Sequence, residues 1–393
     1  MIDRRYRVVF GASLTQFTVI GILFSYGLLI KEFELEFGWS RALLSSCTSL
    51  AFFGMGILAL VGGRFSDKYG PRVVLSFTGI TFGLGYCLIS QVSAPWQLFL
   101  IFGTFVSIGM GTHDVVTLST IAKWFVQRRG IMSALVKVGT ACGQITIPPA
   151  AAYLIVLYGW RNTVIIMGLS ASLLLVVGAF NMTNPPPKST TNDTYNPTGK
   201  SLAEAKGERH FWYLCIIQFL FITTLLAIPV HIAVHGIDLG MSSTKASGLF
   251  SVIGGASIVG RLAAGFLFDK IGGKNSLSLC FIPLIVSLLS LVYVDTDLWL
   301  FIVVGIYGLA HGGLFTVVSP LIAEYFGMRA HGAIFGTILF FGAVGGAIGP
   351  FLVGIIFDST GSYKYAFITL LIFSILSLLI ALTLPPSQKP LSQ

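Results

Sequence analysis

Among the side chains able to carry charge inside the long apolar stretches of this 393-residue chain, His113, Asp114, Lys137 and Arg261 carry the chemistry. An ionised group near the centre of a bilayer costs roughly 2.5–3.5 kcal/mol even on lenient scales, so such groups pair with one another or line a polar cavity. A guanidinium stays charged and presents a planar fork that matches a carboxylate with two hydrogen bonds. Arg261 is therefore either an anchor for an anionic ligand or half of a structural pair with Asp114. Asp114 is the candidate titratable group. Apolar surroundings favour its neutral form and nearby cations its charged form, so a site of changing polarity can load and release a proton. The alternative is a permanent pair with Lys137. His113 adjoins Asp114 but projects about 100° away around a helix. It is either a second proton site or a polar residue satisfied by a neighbouring helix.

Other reactive residue types carry less. His231 and His235 stand four apart, a spacing that can grip a metal, but no third ligand accompanies them. Polar residues at a cavity rim are the simpler reading, and neither a metal nor a cofactor is expected. The five cysteines, Cys47, Cys87, Cys142, Cys215 and Cys280, sit singly in apolar stretches and read as small buried hydrophobes. No nucleophile–base arrangement is evident, so an enzyme is not expected.

The elements that must position these charges are membrane helices. Hydrophobic residues make up 55% of the chain and charged residues 10%, with a mean hydropathy of +0.87. Soluble domains carry about 25% charged residues, so this chain cannot cover a water-facing surface. The 45 glycines and 32 phenylalanines suit closely packed membrane helices. Arg4, Arg5 and Arg7 lead into the first apolar segment without a small-residue cleavage site, so that segment reads as a span and not as a removable signal. A span needs about 20 apolar residues. Twelve are expected, near 7–30, 42–62, 73–93, 96–122, 130–157, 161–182, 210–234, 245–267, 275–293, 297–322, 331–356 and 364–384. The all-α architecture is then two six-helix bundles, 1–182 and 210–393, joined by a hydrophilic linker over 183–209.

Charge gives the orientation. With both termini inside, 17 of the 24 Lys and Arg fall on the cytoplasmic side and five on the other, while Lys137 and Arg261 lie within spans. This asymmetry accounts for the pI of about 9.3 without a nucleic-acid partner. The helix rise of about 1.5 Å per residue places Arg261 about 12 Å from Asp269, Asp114 about 13 Å from Lys123, and Lys137 about 12 Å from Arg129. All three lie near the middle of a core about 30 Å thick.

A ten-residue loop occurs twice. Residues 63–72, with Gly63, Asp67, Gly70 and Arg72, reappear as 265–274, with Gly265, Asp269, Gly272 and Lys274, an offset of 202. The same offset maps Gly38 onto Gly240, Gly130 onto Gly332, Gly143 onto Gly345, Pro148 onto Pro350 and Gly159 onto Gly361. Two homologous halves in so apolar a chain are the mark of a secondary transporter. Residues dedicated to one substrate need not obey the offset. Arg261 corresponds to Ala59, Asp114 to Thr316, His113 to Phe315 and Lys137 to Leu339.

The pattern Gly-x-x-x-Asp-x-x-Gly-x-Arg between spans 2 and 3 resembles the signature loop of the major facilitator superfamily, and the resemblance extends over nearly the whole chain. It implies that Gly63, Asp67, Gly70, Arg72 and Asp269 steady a cytoplasmic gate, and that substrate binds in a cavity between the halves. Trp124-Phe125-Val126-Gln127-Arg128-Arg129-Gly130, Gly159-Trp160-Arg161 and Glu36-Phe37-Gly38-Trp39-Ser40-Arg41 resemble the monocarboxylate-transporter and oxalate/formate-antiporter branch. In that branch an arginine at the place of Arg261 holds the substrate carboxylate. The chain departs from the animal members in lacking their acidic, Gly/Trp-rich opening of span 1, a lysine in span 1, and an acid at Ser257. Depth and the resemblance together add Leu28, Ile145 and Phe340 as wall residues, with Tyr26 and Tyr307 as further candidates; each has interhelical packing as its alternative.

Residues 329–358 contain no lysine, whereas oxalate transporters of the branch use one in span 11. One firm cation suits one carboxylate, unless Lys137 supplies a second. The expectation is a plasma (inner) membrane carrier with cytoplasmic termini, moving a small monocarboxylate such as lactate or pyruvate together with a proton by alternating access. The partners are then the anion, the proton and the lipid bilayer, with no obligatory protein partner. An anion exchanger without net proton movement is the nearest alternative. A non-transporting receptor would be expected to carry an appended domain, and only seven residues follow Pro386. A drug/proton antiporter is disfavoured because span 5 lacks a Gly-Pro-rich signature.

Overall fold

The computed structural model describes residues 4–39, 41–185, 199–241 and 243–386. Residues 186–198, the middle of the expected linker, lie outside them, as do Ser40 and the tail from 387 that holds Lys389. Every regular element among the described residues is a helix. In order they are α1 (Arg4–Phe24), α2 (Tyr26–Phe37), α3 (Arg41–Tyr69), α4 (Pro71–Ile89), α5 (Pro95–Ile101), a π-helical turn (Phe102–Val106), α6 (Ser107–Trp124), α7 (Arg129–Asn181), α8 (Leu202–Lys206), α9 (Arg209–Asp238), α10 (Ser243–Ile271), α11 (Gly273–Leu291), α12 (Asp297–Phe326), α13 (His331–Thr360) and α14 (Tyr363–Thr383).

Among the described residues, eleven helical segments are long and apolar enough to cross a membrane. One of them, the 53-residue α7, would measure about 80 Å if straight, far more than a bilayer core. It is not straight: Gly159 has φ 73° and breaks the helical path. Gly139 and Gly178, on either side of that break, both lie against the first turns of α1, at Ser13 and Gly11 respectively. The chain therefore doubles back at Gly159, and α7 supplies two spans, for twelve in all. Ser25 separates α1 from α2, its hydroxyl donating to the Gly21 carbonyl at 3.0 Å.

The duplication is visible in the backbone. Three pairs of glycines with positive φ stand 202 residues apart: Gly38 and Gly240, Gly70 and Gly272, Gly159 and Gly361. Each lies at a turn between helices, in the left-handed region that only glycine enters without strain.

The chain divides into two compact units, Met1–Phe125 with Leu135–Gly199 and Met328–Phe340, and Val126–Ala134 with Lys200–Gly327 and Phe341–Gln393. In the first unit, Gly63 of α3 meets Gly332 of α13, where a Cβ on Gly332 would sit 2.8 Å from the Gly63 carbonyl oxygen. The Asp67 carboxylate hydrogen-bonds to the backbone of Gly332 and Ala333 and to Lys123 Nζ at 3.1 Å. In the second unit the counterparts repeat this. Gly265 meets Gly130 and Ala134, and Asp269 accepts from the Gly130 amide at 2.8 Å and the Ile131 amide at 3.1 Å. Each carboxylate satisfies orphan amides at a helix start and faces the positive end of its dipole. The basic residue of each loop goes elsewhere. Arg72 donates to the Phe180 carbonyl at 2.9 Å, and Lys274 to the Leu384 carbonyl at 2.5 Å. These carbonyls lie at the C-terminal ends of α7 and α14, where helical partners run out.

Residues 36–39 and 159–161 form one cluster in the first unit. Glu36 accepts from Arg161 at 2.5 Å and from Trp160 Nε1 at 2.6 Å. Phe37 stacks on Trp39 with ring centroids 4.5 Å apart, and Phe33 meets Trp160 edge-on at 5.0 Å. The Arg161 hydrogen bond, with that of Trp160, holds the Glu36 carboxyl below the usual carboxylate range.

Asp269→Ala strands the two helix-start amides. It should lower the stability of the purified protein by about 1–3 kcal/mol, read as a lower unfolding midpoint in detergent. An unchanged midpoint would show that the cap contributes nothing.

Candidate functional site

The first unit encloses a polar core built on α1, α6 and the first span of α7. Small residues bring the helices together. Gly139 and Gly143 press α7 onto the backbone of Ser13 and Phe17, and Gly21 faces the Gly143 carbonyl, where a Cβ would sit 2.7 Å away. The four-residue spacing keeps these contacts on one face of each helix. The same register delivers Lys137 and Thr140 of α7 to the neighbourhood of Gln16 of α1.

Asp114 is the centre of this core. Its Oδ1 accepts from Lys137 Nζ and, at 2.7 Å, from Gln16 Nε2. Gln16 Nε2 also reaches Thr117 Oγ1 at 3.0 Å, and Thr140 Oγ1 donates to Gln16 Oε1 at 3.0 Å. The Lys137 side chain is 5% exposed and that of Asp114 20%. His113 Nδ1 lies 2.5 Å from the Met110 carbonyl, so this nitrogen carries a hydrogen, and Nε2 stands 3.7 Å from Asp114 Oδ1. His113 also borders a small cavity of about 10 Å³ with Thr15, Thr78 and Thr112. The sequence-predicted trio Asp114, Lys137 and His113 is thus brought together within one unit. Sequence reasoning missed Gln16, Thr117 and Thr140, neutral residues that carry no charge signal.

Arg261 belongs to the second unit. It lies within the apolar segment Gly248–Ile271 of α10 and is 1% exposed. Its neighbour Gly260 presses on the backbone of Leu309 in α12, and Gly312 presses likewise on Ser257. The arginine is therefore rooted where α10 and α12 cross with almost no side-chain spacing. Tyr307 of α12 is buried and donates to the Leu225 carbonyl of α9 at 2.6 Å. Tyr26 is a buried tyrosine of the first unit, packed against Phe102 and donating to the Leu44 carbonyl at 3.1 Å. Both tyrosine hydroxyls thus bind backbone of their own unit. Leu28 and Phe340 are half-buried, and Ile145 is 47% exposed. His231 contacts the Pro350 carbonyl at 2.9 Å and the Tyr363 hydroxyl at 3.3 Å, and His235 packs edge-on to Tyr363 and Phe367. No group of three metal-ligating side chains occurs among the described residues.

Comparisons with known proteins agree with this architecture. The family model described as Major Facilitator Superfamily matches residues 9–306 and 265–393. The chain is 28% identical over 390 residues to "Monocarboxylate transporter 13" of Rattus norvegicus, covering 97% of this chain and 89% of that protein. By structure it is similar to the human organic anion transporter MFSD10 (TETRAN), with a TM-score of 0.75, 17% identity, and 96% and 99% of the two chains covered. It is also similar to the proton:xylose symporter XylE, with a TM-score of 0.77, 14% identity, and 98% and 97% covered.

The pairing of Asp114 with Lys137 sets an asymmetry that mutagenesis can read. Lys137→Met alone leaves a buried carboxylate without its cation and should cost about 3–5 kcal/mol. The double variant Lys137→Met with Asp114→Asn should recover most of that loss in unfolding experiments at alkaline pH. Additive losses would mean the two charges are not energetically coupled.

Proposed function

The chain belongs to the major facilitator superfamily, and from that premise we propose that it carries small monocarboxylates of the lactate and pyruvate kind across the plasma (inner) membrane with protons, by alternating access. The observation that carries this reading is Arg261, a permanent cation in the middle of an apolar segment and 1% exposed. Its guanidinium would hold the substrate carboxylate through two charge-assisted hydrogen bonds. A relative named as a monocarboxylate transporter, aligned over 97% of this chain, supports the substrate class.

Asp114 would carry the proton, with Lys137 as its switchable counter-ion and His113 beside it. The charges then balance. Empty, the set Asp114⁻, Lys137⁺ and Arg261⁺ has a net charge of +1. Loaded with one proton and one monocarboxylate anion, it is again +1. The intramembrane charge is therefore the same in both forms, and no step drags an extra charge through the bilayer core. Leu28, Ile145 and Phe340 would supply the apolar wall, with the rings of Tyr26 and Tyr307 shaping the helices behind it. Gly63, Asp67, Gly70, Arg72 and Asp269 would steady the gate at the cytoplasmic side, where both termini would lie.

Uptake of labelled lactate into proteoliposomes tests the reading. An inward proton gradient should drive accumulation, Arg261→Ala should weaken apparent affinity by at least about tenfold, and Asp114→Asn should abolish accumulation. Uptake that needs only internal anion and ignores the gradient would favour exchange, and no uptake of any small carboxylate would sink the substrate class.

A further inference from the structure

Gln16 sits at the centre of the polar core with none of its side chain exposed, and it contacts residues of both other helices of that core. The direction of each of its hydrogen bonds is determined by its partners. An ionised Asp114 can only accept, so the amide must present its NH₂ group to Oδ1. The Thr117 hydroxyl donates to the His113 carbonyl, which leaves its oxygen to accept from the same NH₂. The Gln16 carbonyl, on the opposite side, accepts from Thr140. Reversing the amide would set two acceptors against each other at Asp114 Oδ1.

This arrangement makes the two oxygens of Asp114 unequal. Oδ1 has two lone pairs and receives two donors, Lys137 Nζ and Gln16 Nε2. The groups facing the carboxylate are Lys137 from α7, Gln16 from α1, and His113 on its own helix. We infer that Gln16 is a positioning residue for the proton on Asp114: it occupies Oδ1, leaves Oδ2 as the oxygen that takes the proton, and keeps the neutral acid tied to α1 afterwards. The last role follows from chemistry. Protonation removes the charge that holds Lys137, but Oδ1 of the neutral acid is still a carbonyl that accepts from an uncharged amide. Asp114 then stays in place while Lys137 is released. The inference rests on the reading of Asp114 as the proton carrier.

Infrared difference spectroscopy of the full chain in lipid, without substrate, tests both separately. Spectra recorded between alkaline and acidic buffer should contain a protonated-carboxyl C=O band that is missing in Asp114→Asn. In Gln16→Met that band should move to higher frequency, because the carbonyl at Oδ1 accepts one hydrogen bond fewer. Thr140→Val, which leaves the amide in place but removes its far anchor, should give a smaller shift in the same direction and serves should Gln16→Met not fold. A merely structural glutamine would lower stability and leave the frequency unchanged; an Asp114 band unmoved in both variants overturns the inference. Absence of any band lost in Asp114→Asn would overturn the proton-carrier reading itself, and the inference with it.

Discussion

A carboxylate inside hydrocarbon has only the protein to satisfy it, and that constraint organises this chain. Hydrocarbon supplies no hydrogen-bond donor, so a carboxylate buried at that depth depends on donors from neighbouring helices. At the C-terminal ends of α3 and α10, where the spans finish, Asp67 and Asp269 meet backbone amides at the starts of α13 and α7. Asp114 meets an ammonium and an amide side chain. The donors differ in a way that matters. Backbone amides at a helix start cannot leave without moving the helix, so these contacts open only when whole helices move apart. Lys137 sits on a long flexible stem and can leave alone, as the proposed proton exchange on Asp114 would require.

Both arrangements depend on glycine more than on charge. Donor and acceptor meet at these distances only because helix axes approach more closely than side chains would allow. Gly63 with Gly332, and Gly265 with Gly130, set the two carboxylate junctions. Gly139 and Gly143 set the approach of α7 to α1 that gives Lys137 and Thr140 their partners. Lipid tails offer no hydrophobic drive for helix pairing, so close backbone contact and interhelical hydrogen bonds supply it together. The glycines and the polar core are therefore one device, and a larger residue at 139 would loosen the hydrogen bonds of Gln16 without touching them.

Much of this was legible in the residues. Span lengths and the 202 offset pointed to the all-α repeat, and Asp114 and Lys137 were readable as a pair because ionised groups in apolar segments must be compensated. The reversal at Gly159 was readable too, since the apolar stretch around it is far longer than one crossing requires. Other parts were hidden for physical reasons. Which backbone the two halves of α7 touch depends on how the helices approach in three dimensions. The targets of Arg72 and Lys274 were equally hidden, because a carbonyl at a helix end leaves no trace in residue type. The pairing of Glu36 with Trp160 and Arg161 joins residues 124 and 125 positions apart, beyond any local pattern.

Gln16 was hidden for a more instructive reason. The offset of 202 maps it onto Gln218, also buried, so a rule that assigns shared residues to the scaffold sets it aside. Its partners do not survive the mapping: Asp114, Thr117 and Thr140 become Thr316, Ser319 and Gly342. An amide can both donate and accept, so it fits a polar interior whether the facing group is a carboxylate or a hydroxyl. Duplication can therefore retain the glutamine in both halves while only one half acquires an acid for it to address. A shared position is thus scaffold by origin without being scaffold by role. Asymmetry locates the charge, and the residue that governs how that charge is presented is found among the symmetric ones.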